Sequence, residues 1–164
     1  DLHRFVAGLR NSLAVTTDAD PRPAVGSLLP GIALPGPDGD TVRLSSTRGS
    51  IVLVDFWAAW CPPCREENPN LVSLYDLYHS RGFDIYQVSL DIRKEEWTEA
   101  IRKDRLGRWH HVSDLKYRDS EVVRDFGLSE IPSSFLLDRE GRVVAVNLRG
   151  EALRKKVEEL LAGQ

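Results

Sequence analysis

Methionine is absent from this chain of 164 residues, cysteine occurs only twice, and neither sign of charge dominates. Two cysteines are too few for a disulfide-stapled scaffold. The 22 Lys and Arg residues stand against 25 Asp and Glu, a net charge of −3, which leaves no basic footprint for nucleic acid or an anionic membrane surface. The longest strongly apolar stretch, around Ile51–Trp60, falls far short of the about 20 residues that a spanning helix needs. No repeat or low-complexity tract is visible. What is present is ordinary for a folded domain: 41% apolar residues, 29% charged, and 12 glycines. Such a composition argues against disorder, and the length suits one domain with a core of its own. The chain opens on Asp1, so we expect a leader, an anchor or an upstream domain ahead of it, and the lack of a leader excludes no compartment.

The two cysteines lie three apart, in Cys61-Pro62-Pro63-Cys64. Only about 1% of random placements in a chain this long would space them so, and the pair therefore asks for a chemical reason. One reading is half of a zinc site. Zinc wants four ligands, and the only other pair on offer is His110-His111. Adjacent residues on a strand point to opposite faces, so these two close a tetrahedron poorly. Haem attachment would need a histidine directly after Cys64, where Arg65 stands.

Residues 1–24 read as a helix, with Leu2, Val6, Leu9 and Leu13 on one stripe, followed by an aperiodic linker rich in Thr, Asp, Pro and Gly. They look like the end of an upstream segment; a helix packed on the main domain is the alternative. From 25 to 164 we expect a single domain. Ile32–Leu34 and Thr41–Leu44, separated by Pro37-Asp38-Gly39, suggest a hairpin. Ile51–Trp57 is almost continuously apolar and β-branched, as in a strand buried on both faces. A helix should follow the cysteines, with Leu71, Leu74, Tyr75 and Tyr78 on one face. Asp84–Leu90 reads as the next strand. Lys94–Leu106 reads as a helix with Trp97, Ala100 and Ile101 inward and Glu99–Lys103 as an exposed pair. A short strand near His111–Val112, a helix near Glu121–Phe126, a hairpin of Ser134–Leu137 with Val143–Val146, and a closing helix bearing Leu153, Val157, Leu160 and Leu161 complete the chain. This order implies an α/β fold with a mixed sheet covered on both faces, and a Cys-x-x-Cys beside a βα unit points to a thioredoxin-like redox site.

At the strand-to-helix junction Cys61 would face unpaired N–H groups and the positive helix end, both of which favour a thiolate. A helix end contributes at most about 2 kcal/mol, and one pKa unit is about 1.36, so a thiol near 8.5 could fall to roughly 7. Cys64, one turn further in, should be more buried and suits a resolving thiol. Pro62 and Pro63 remove two donors and leave the Cys64 N–H as the nearby one, which favours a more reducing couple than a His or Lys between the cysteines would give. Asp55 interrupts the apolar strand. Burial would raise its pKa towards neutrality and make it a proton acceptor for Cys64; a position open to solvent is the bland reading. Pro132 precedes a strand, and from the residues alone its peptide bond is trans by default.

The run Val54-Asp55-Phe56-Trp57-Ala58-Ala59-Trp60-Cys61-Pro62-Pro63-Cys64 resembles the active-site signature of the thioredoxin superfamily. Pro69 matches the kink of its first long helix, and Gly127-Leu128-Ser129-Glu130-Ile131-Pro132 is similar to the loop that carries its cis-proline. The segment Val25 through Ser45 and the insertion bearing Trp97 and Trp109 look like the TlpA/ResA branch, whose AhpC/TSA redox domains are secreted or membrane-tethered in bacteria. Three positions depart from related patterns. Gln87 stands where thioredoxin has a lysine, many TlpA-like chains have asparagine at the place of Asp55, and Ala58 replaces the threonine that peroxiredoxins need.

The resemblance implies an α/β thioredoxin fold, a central mixed β-sheet flanked by helices, with an N-terminal β-hairpin extension and a central insertion. It also implies a thiol–disulfide oxidoreductase that needs no cofactor beyond the redox-active Cys61–Cys64 disulfide. Cys61 would attack, Cys64 resolve and Asp55 assist, with Pro62 and Pro63 shaping the active-site loop. Trp60, Ile131 and Pro132 would border the docking groove, and Trp57 would pack beneath it. The implied partners are protein disulfides or dithiols and an upstream thiol electron donor. The implied place is periplasmic or otherwise extracytoplasmic, with membrane contact only through a removed anchor, and the implied direction is reduction. A binding domain with a static disulfide is the competing reading.

Overall fold

The computed structural model describes residues 22–163. The helix expected ahead of residue 16 and most of the linker behind it therefore lie outside the described residues. Seven strands and four helices follow: β1 (Ala33–Pro35), β2 (Thr41–Arg43), β3 (Ile51–Trp57), α1 (Pro62–Tyr78), β4 (Phe83–Ser89), α2 (Lys94–Lys103), β5 (His110–Val112), α3 (Glu121–Asp125), β6 (Ser133–Leu137), β7 (Val143–Val146) and α4 (Gly150–Ala162). β1 and β2 pair antiparallel as a separate ribbon, while the main sheet has the order β5-β4-β3-β6-β7. β3 runs parallel to β4, β4 parallel to β5, and β6 antiparallel to both β3 and β7. The fold is that of thioredoxin, with the hairpin added before it.

β3 occupies the centre, and all seven of its residues are buried. Its alternation divides the core in two. Ile51, Leu53 and Trp57 face α1, α2 and α4, where Leu71, Leu74, Trp97, Ile101, Leu153, Val157 and both cysteines gather. Val52, Val54 and Phe56 face the opposite side, filled by Tyr86, Val88, Phe126 and Phe135 and closed by Ile32 and Leu34 of the hairpin segment. The alternation puts Asp55 on the first of these faces, between Leu53 and Trp57.

The observed elements end close to where the residue pattern predicts, with two corrections. The helix expected to reach Leu106 stops at Lys103: Arg105 takes a left-handed φ of 63°, and the Leu106 N–H turns back to the Ile101 carbonyl, which buries Leu106 through a turn. The exposed partner of Glu99 is Arg102, three residues on, at 2.5 Å, and not Lys103. α1 keeps Pro69 inside it and ends through a short 3-10 turn at Gly82, whose φ of 107° favours glycine and returns the chain into β4.

Leu74 is fully buried beneath the sheet, whereas Leu77 on the same helix is 51% exposed. Leu74→Ala should lower the free energy of unfolding by about 2–5 kcal/mol in urea titrations, and Leu77→Ala should change it by less than about 0.5.

Candidate active site

β3 ends at Trp57 and α1 begins at Pro62, so Ala58–Cys61 form a short loop at the carboxyl edge of the sheet. Cys61 is the N-cap of α1, with an extended backbone (φ −104°, ψ 104°) and prolines in the first turn. Pro at these positions gives up no intrahelical bond, because the first N–H groups of a helix have no partner there. The Cys64 N–H points at the Cys61 sulfur, 3.4 Å away. Cys61 and Cys64 are joined as a disulfide, with Cα atoms 5.3 Å apart. Cys61 keeps 5% exposure and Cys64 2%, so the order of burial is the expected one and both differences from zero are small.

The loop is held from two sides. The Ala59 N–H donates to both carboxylate oxygens of Asp91, at 3.0 and 3.2 Å, and the Ala59 carbonyl accepts from Arg65 at 2.9 Å. Asp91 is fully buried just past β4 and also accepts from the Ser89 hydroxyl. Burial pushes its pKa up, and the Ser89 and Ala59 donors offset part of that. Arg65 in turn forms a two-pronged pair with Asp104, at 2.5 and 2.9 Å. Burial pushes Asp104 up, but the Arg65 and Asn68 donors outweigh it and hold the carboxyl below its usual range.

Opposite the loop, the Ile131–Pro132 bond is cis, and the Ile131 carbonyl oxygen lies 3.9 Å from the Cys61 sulfur. Arg149 donates to the Pro132 carbonyl at 2.7 Å, which fixes this loop against the start of α4. Trp60 stands beside the disulfide, 47% exposed, its ring edge-to-face with Tyr117 at 5.4 Å. Trp57 is buried beneath, as a packing residue should be.

Asp55 is buried, not open to solvent. It pairs in register with Gln87 of β4, and the Gln87 amide donates to its carboxylate at 2.9 Å. Burial raises its pKa from 3.8 to about 7, more than the Gln87 bond lowers it; Glu67 adds a little and Arg149 subtracts a little. His110 and His111 do not converge on the cysteines. His110 pairs with Asp84 at 2.8 Å, and His111 contacts the Leu106 carbonyl at 2.7 Å, where burial lowers its pKa to about 4.

The comparisons with known proteins agree with this geometry. The AhpC/TSA family matches residues 25–146. Among curated relatives, the thiol-disulfide oxidoreductase ResA of Bacillus thuringiensis subsp. konkukian is 28% identical over 142 residues, 84% of this chain and 76% of that one. The ResA of Geobacillus thermodenitrificans is 32% identical over 123 residues, 73% and 67% of the two chains. The chain belongs to the AhpC/TSA family, among the ResA-like thiol–disulfide oxidoreductases of the thioredoxin superfamily. The thioredoxin domain of a thiol-disulfide oxidoreductase from Bacteroides vulgatus superposes with a TM-score of 0.77 at 38% identity, over 84% of this chain and 98% of that domain.

Cys61, Cys64 and the Ile131–Pro132 loop come together at one edge of the sheet with Trp60 beside them, Asp55 lies within the buried strand that leads to it, and the two histidines lie elsewhere. Asp91, Asn68, Asp104 and Trp109 were not foreseen there. A signal existed for Asp91, an acid directly after the apolar run of β4, of the same kind that marked Asp55.

Asp55 carries a linkage with a definite sign. Its folded pKa lies above the unfolded value, so the folded state gains relative stability when the group is protonated and loses it as pH rises from about 4 to about 7. Asp55→Asn, which keeps an acceptor for Gln87, should therefore match the parent near the unfolded carboxyl pKa and exceed it above neutrality, by at most about 4 kcal/mol. Urea unfolding at several pH values reads this directly; a variant less stable than the parent at alkaline pH would contradict it.

Proposed function

We propose that this domain reduces disulfides in protein partners outside the cytoplasm, with the Cys61–Cys64 pair itself as redox centre and no bound cofactor. The placement of Cys61 at the α1 N-cap, bonded to Cys64 and beside the cis Pro132 loop, is the observation that supports it most directly. An upstream dithiol first reduces the pair, becoming oxidised itself. The Cys61 thiolate then attacks one sulfur of the partner's disulfide; that bond breaks, a Cys61–partner bond forms, and the leaving sulfur takes up a proton. Cys64 gives its proton to the Asp55 carboxylate, attacks Cys61 and releases the partner's second thiolate. The partner ends as a dithiol and the domain as the disulfide.

The roles follow from position. The Cys64 N–H and the α1 N-terminus are placed to stabilise charge on Cys61. A group that titrates near 7 is a serviceable base at neutral pH, because both of its protonation states are populated there. Trp60, Ile131 and Pro132 line the approach to Cys61 and would meet the partner's backbone. No described helix is long and apolar enough to cross a membrane, so a tether would have to lie elsewhere in the protein. Two proline residues between the cysteines favour the reducing direction.

The low exposure of Cys61 favours a second reading, a static disulfide in a docking module. The two readings separate in one assay. The parent should turn over insulin with dithiothreitol, Cys61→Ser should lose that turnover, and Cys64→Ala should accumulate mixed disulfides through Cys61 under mild oxidation. A Cys61→Ser variant as active as the parent would leave the docking module as the surviving reading.

A further inference from the structure

Behind the disulfide, three elements place polar side chains in a layer that the apolar core otherwise excludes. Gln87 of β4 is fully buried and makes contacts in three directions. Its Nε2 donates to Asp55 at 2.9 Å and lies 3.4 Å from the Asn68 Oδ1, while its Oε1 accepts from the Trp109 indole at 2.9 Å. Asn68 is also buried, and its own amide donates onward to Asp104. A buried amide with all its groups matched has one orientation, and the donor and acceptor types decide which.

The indole decides here. A tryptophan N–H can only donate, so the Gln87 atom facing it has to be the carbonyl oxygen, and the amide nitrogen is left for Asp55. Rotated by half a turn, the same side chain would set a carbonyl oxygen against the carboxylate and an N–H against an N–H. The other two buried tryptophans provide the contrast: the indole N–H groups of Trp57 and Trp97 have no partner among the described residues.

We propose that Trp109 is a positioning residue for Asp55: its indole N–H locks the Gln87 amide so that the carboxylate receives an N–H bond. Trp109 lies just before β5, in the segment between α2 and that strand. Its influence runs through one hydrogen bond to Gln87 and one more to Asp55. The charged groups that otherwise act on Asp55 are Glu67 of α1 and Arg149 ahead of α4; His111, the register partner of Gln87 on β5, is neutral at physiological pH. The consequence for turnover rests on the proposed role of Asp55 as base, whereas the positioning itself does not.

The test follows the Asp55 side-chain carboxyl by carbon NMR as a function of pH in the oxidised chain, where no turnover is needed. Trp109→Phe keeps an aromatic ring and removes the N–H; it should move the Asp55 midpoint upward by about one pH unit, the size expected for a lost hydrogen bond to a charged group. Trp97→Phe trims the same core but deletes an N–H without a partner, and it should leave the midpoint unchanged. In the unmodified chain the Trp109 indole resonance should shift with the Asp55 midpoint, and the Trp97 resonance should not, so the outcome does not depend on a variant folding. The pH profile of insulin reduction should shift with the carboxyl in Trp109→Phe. If the carboxyl moves and the profile does not, the positioning stands and the base role of Asp55 fails. An unmoved midpoint in Trp109→Phe, an equal shift in Trp97→Phe, or a Trp109 resonance indifferent to Asp55 overturns the proposal.

Discussion

A helix begins with amide groups that its own backbone cannot satisfy, and here the atom that meets them is the sulfur of Cys61. The rest of the cysteine edge is arranged around that fact. Two prolines withdraw their donors, so the Cys64 N–H remains as the one directed at the sulfur. Asp91 and Arg65 grip Ala59 by its N–H and its carbonyl, which fixes the loop leading into the cap. The Ile131–Pro132 loop supplies the facing wall. A sulfur held this way differs from its neighbour one turn on, and thiol–disulfide exchange depends on that difference, since one sulfur has to attack and the other wait.

The second constraint is the polar layer under the disulfide. β3 is the most buried strand of the sheet, yet it carries a carboxylate, and a charge there is costly unless its bonds are matched. Gln87 gives that carboxylate one N–H bond and is itself held by Trp109 and Asn68, and the Asn68–Asp104–Arg65 continuation ends at the same Ala59 carbonyl that anchors the active-site loop. The buried acid and the loop that presents Cys61 are thus parts of one hydrogen-bonded set. Because such a set is worth more intact than its pairs suggest, removal of one member affects groups several residues away.

Much of this was legible in the sequence because the signals were local. The β-branched run at Ile51–Trp57, the stripe on α1 and the Cys-Pro-Pro-Cys junction each depend on neighbours within a few residues, and each appears where expected. Asp55 was legible as an anomaly, a charge in an apolar run, and its burial follows from the strand alternation. The overlong α2 shows the limit: helical periodicity continues through Leu106, but Leu106 reaches the core by a left-handed turn at Arg105, which periodicity does not distinguish from another helical turn. The partners of Asp55 were less legible still. Gln87, Asn68 and Trp109 lie 32, 13 and 54 positions away in the chain, and only the parallel pairing of β3 with β4 and the packing of α1 bring them together. Gln87 was noticed for what it replaces, not for what it binds.

Asp55 and Asp91 bury the same functional group on the same side of the molecule, and comparing them separates support from chemistry. Asp91 accepts from a backbone N–H and a serine hydroxyl, and no neutral side chain of its size accepts on both oxygens as it does. Both of its oxygens serve the loop or the strand end beside it. Asp55 accepts a single strong bond, from Gln87, which an asparagine carbonyl would accept equally well. A carboxyl at that position therefore adds nothing structural that an amide lacks, and it burdens the fold once it ionises. What it does add is a proton that comes and goes near neutral pH, one face of the sheet away from solvent and on the side where Cys64 packs. A group that costs the fold stability is accounted for by chemistry more readily than by packing. On that ground the carboxyl of Asp55 suits the base role proposed for it, whereas that of Asp91 serves the loop that holds Cys61.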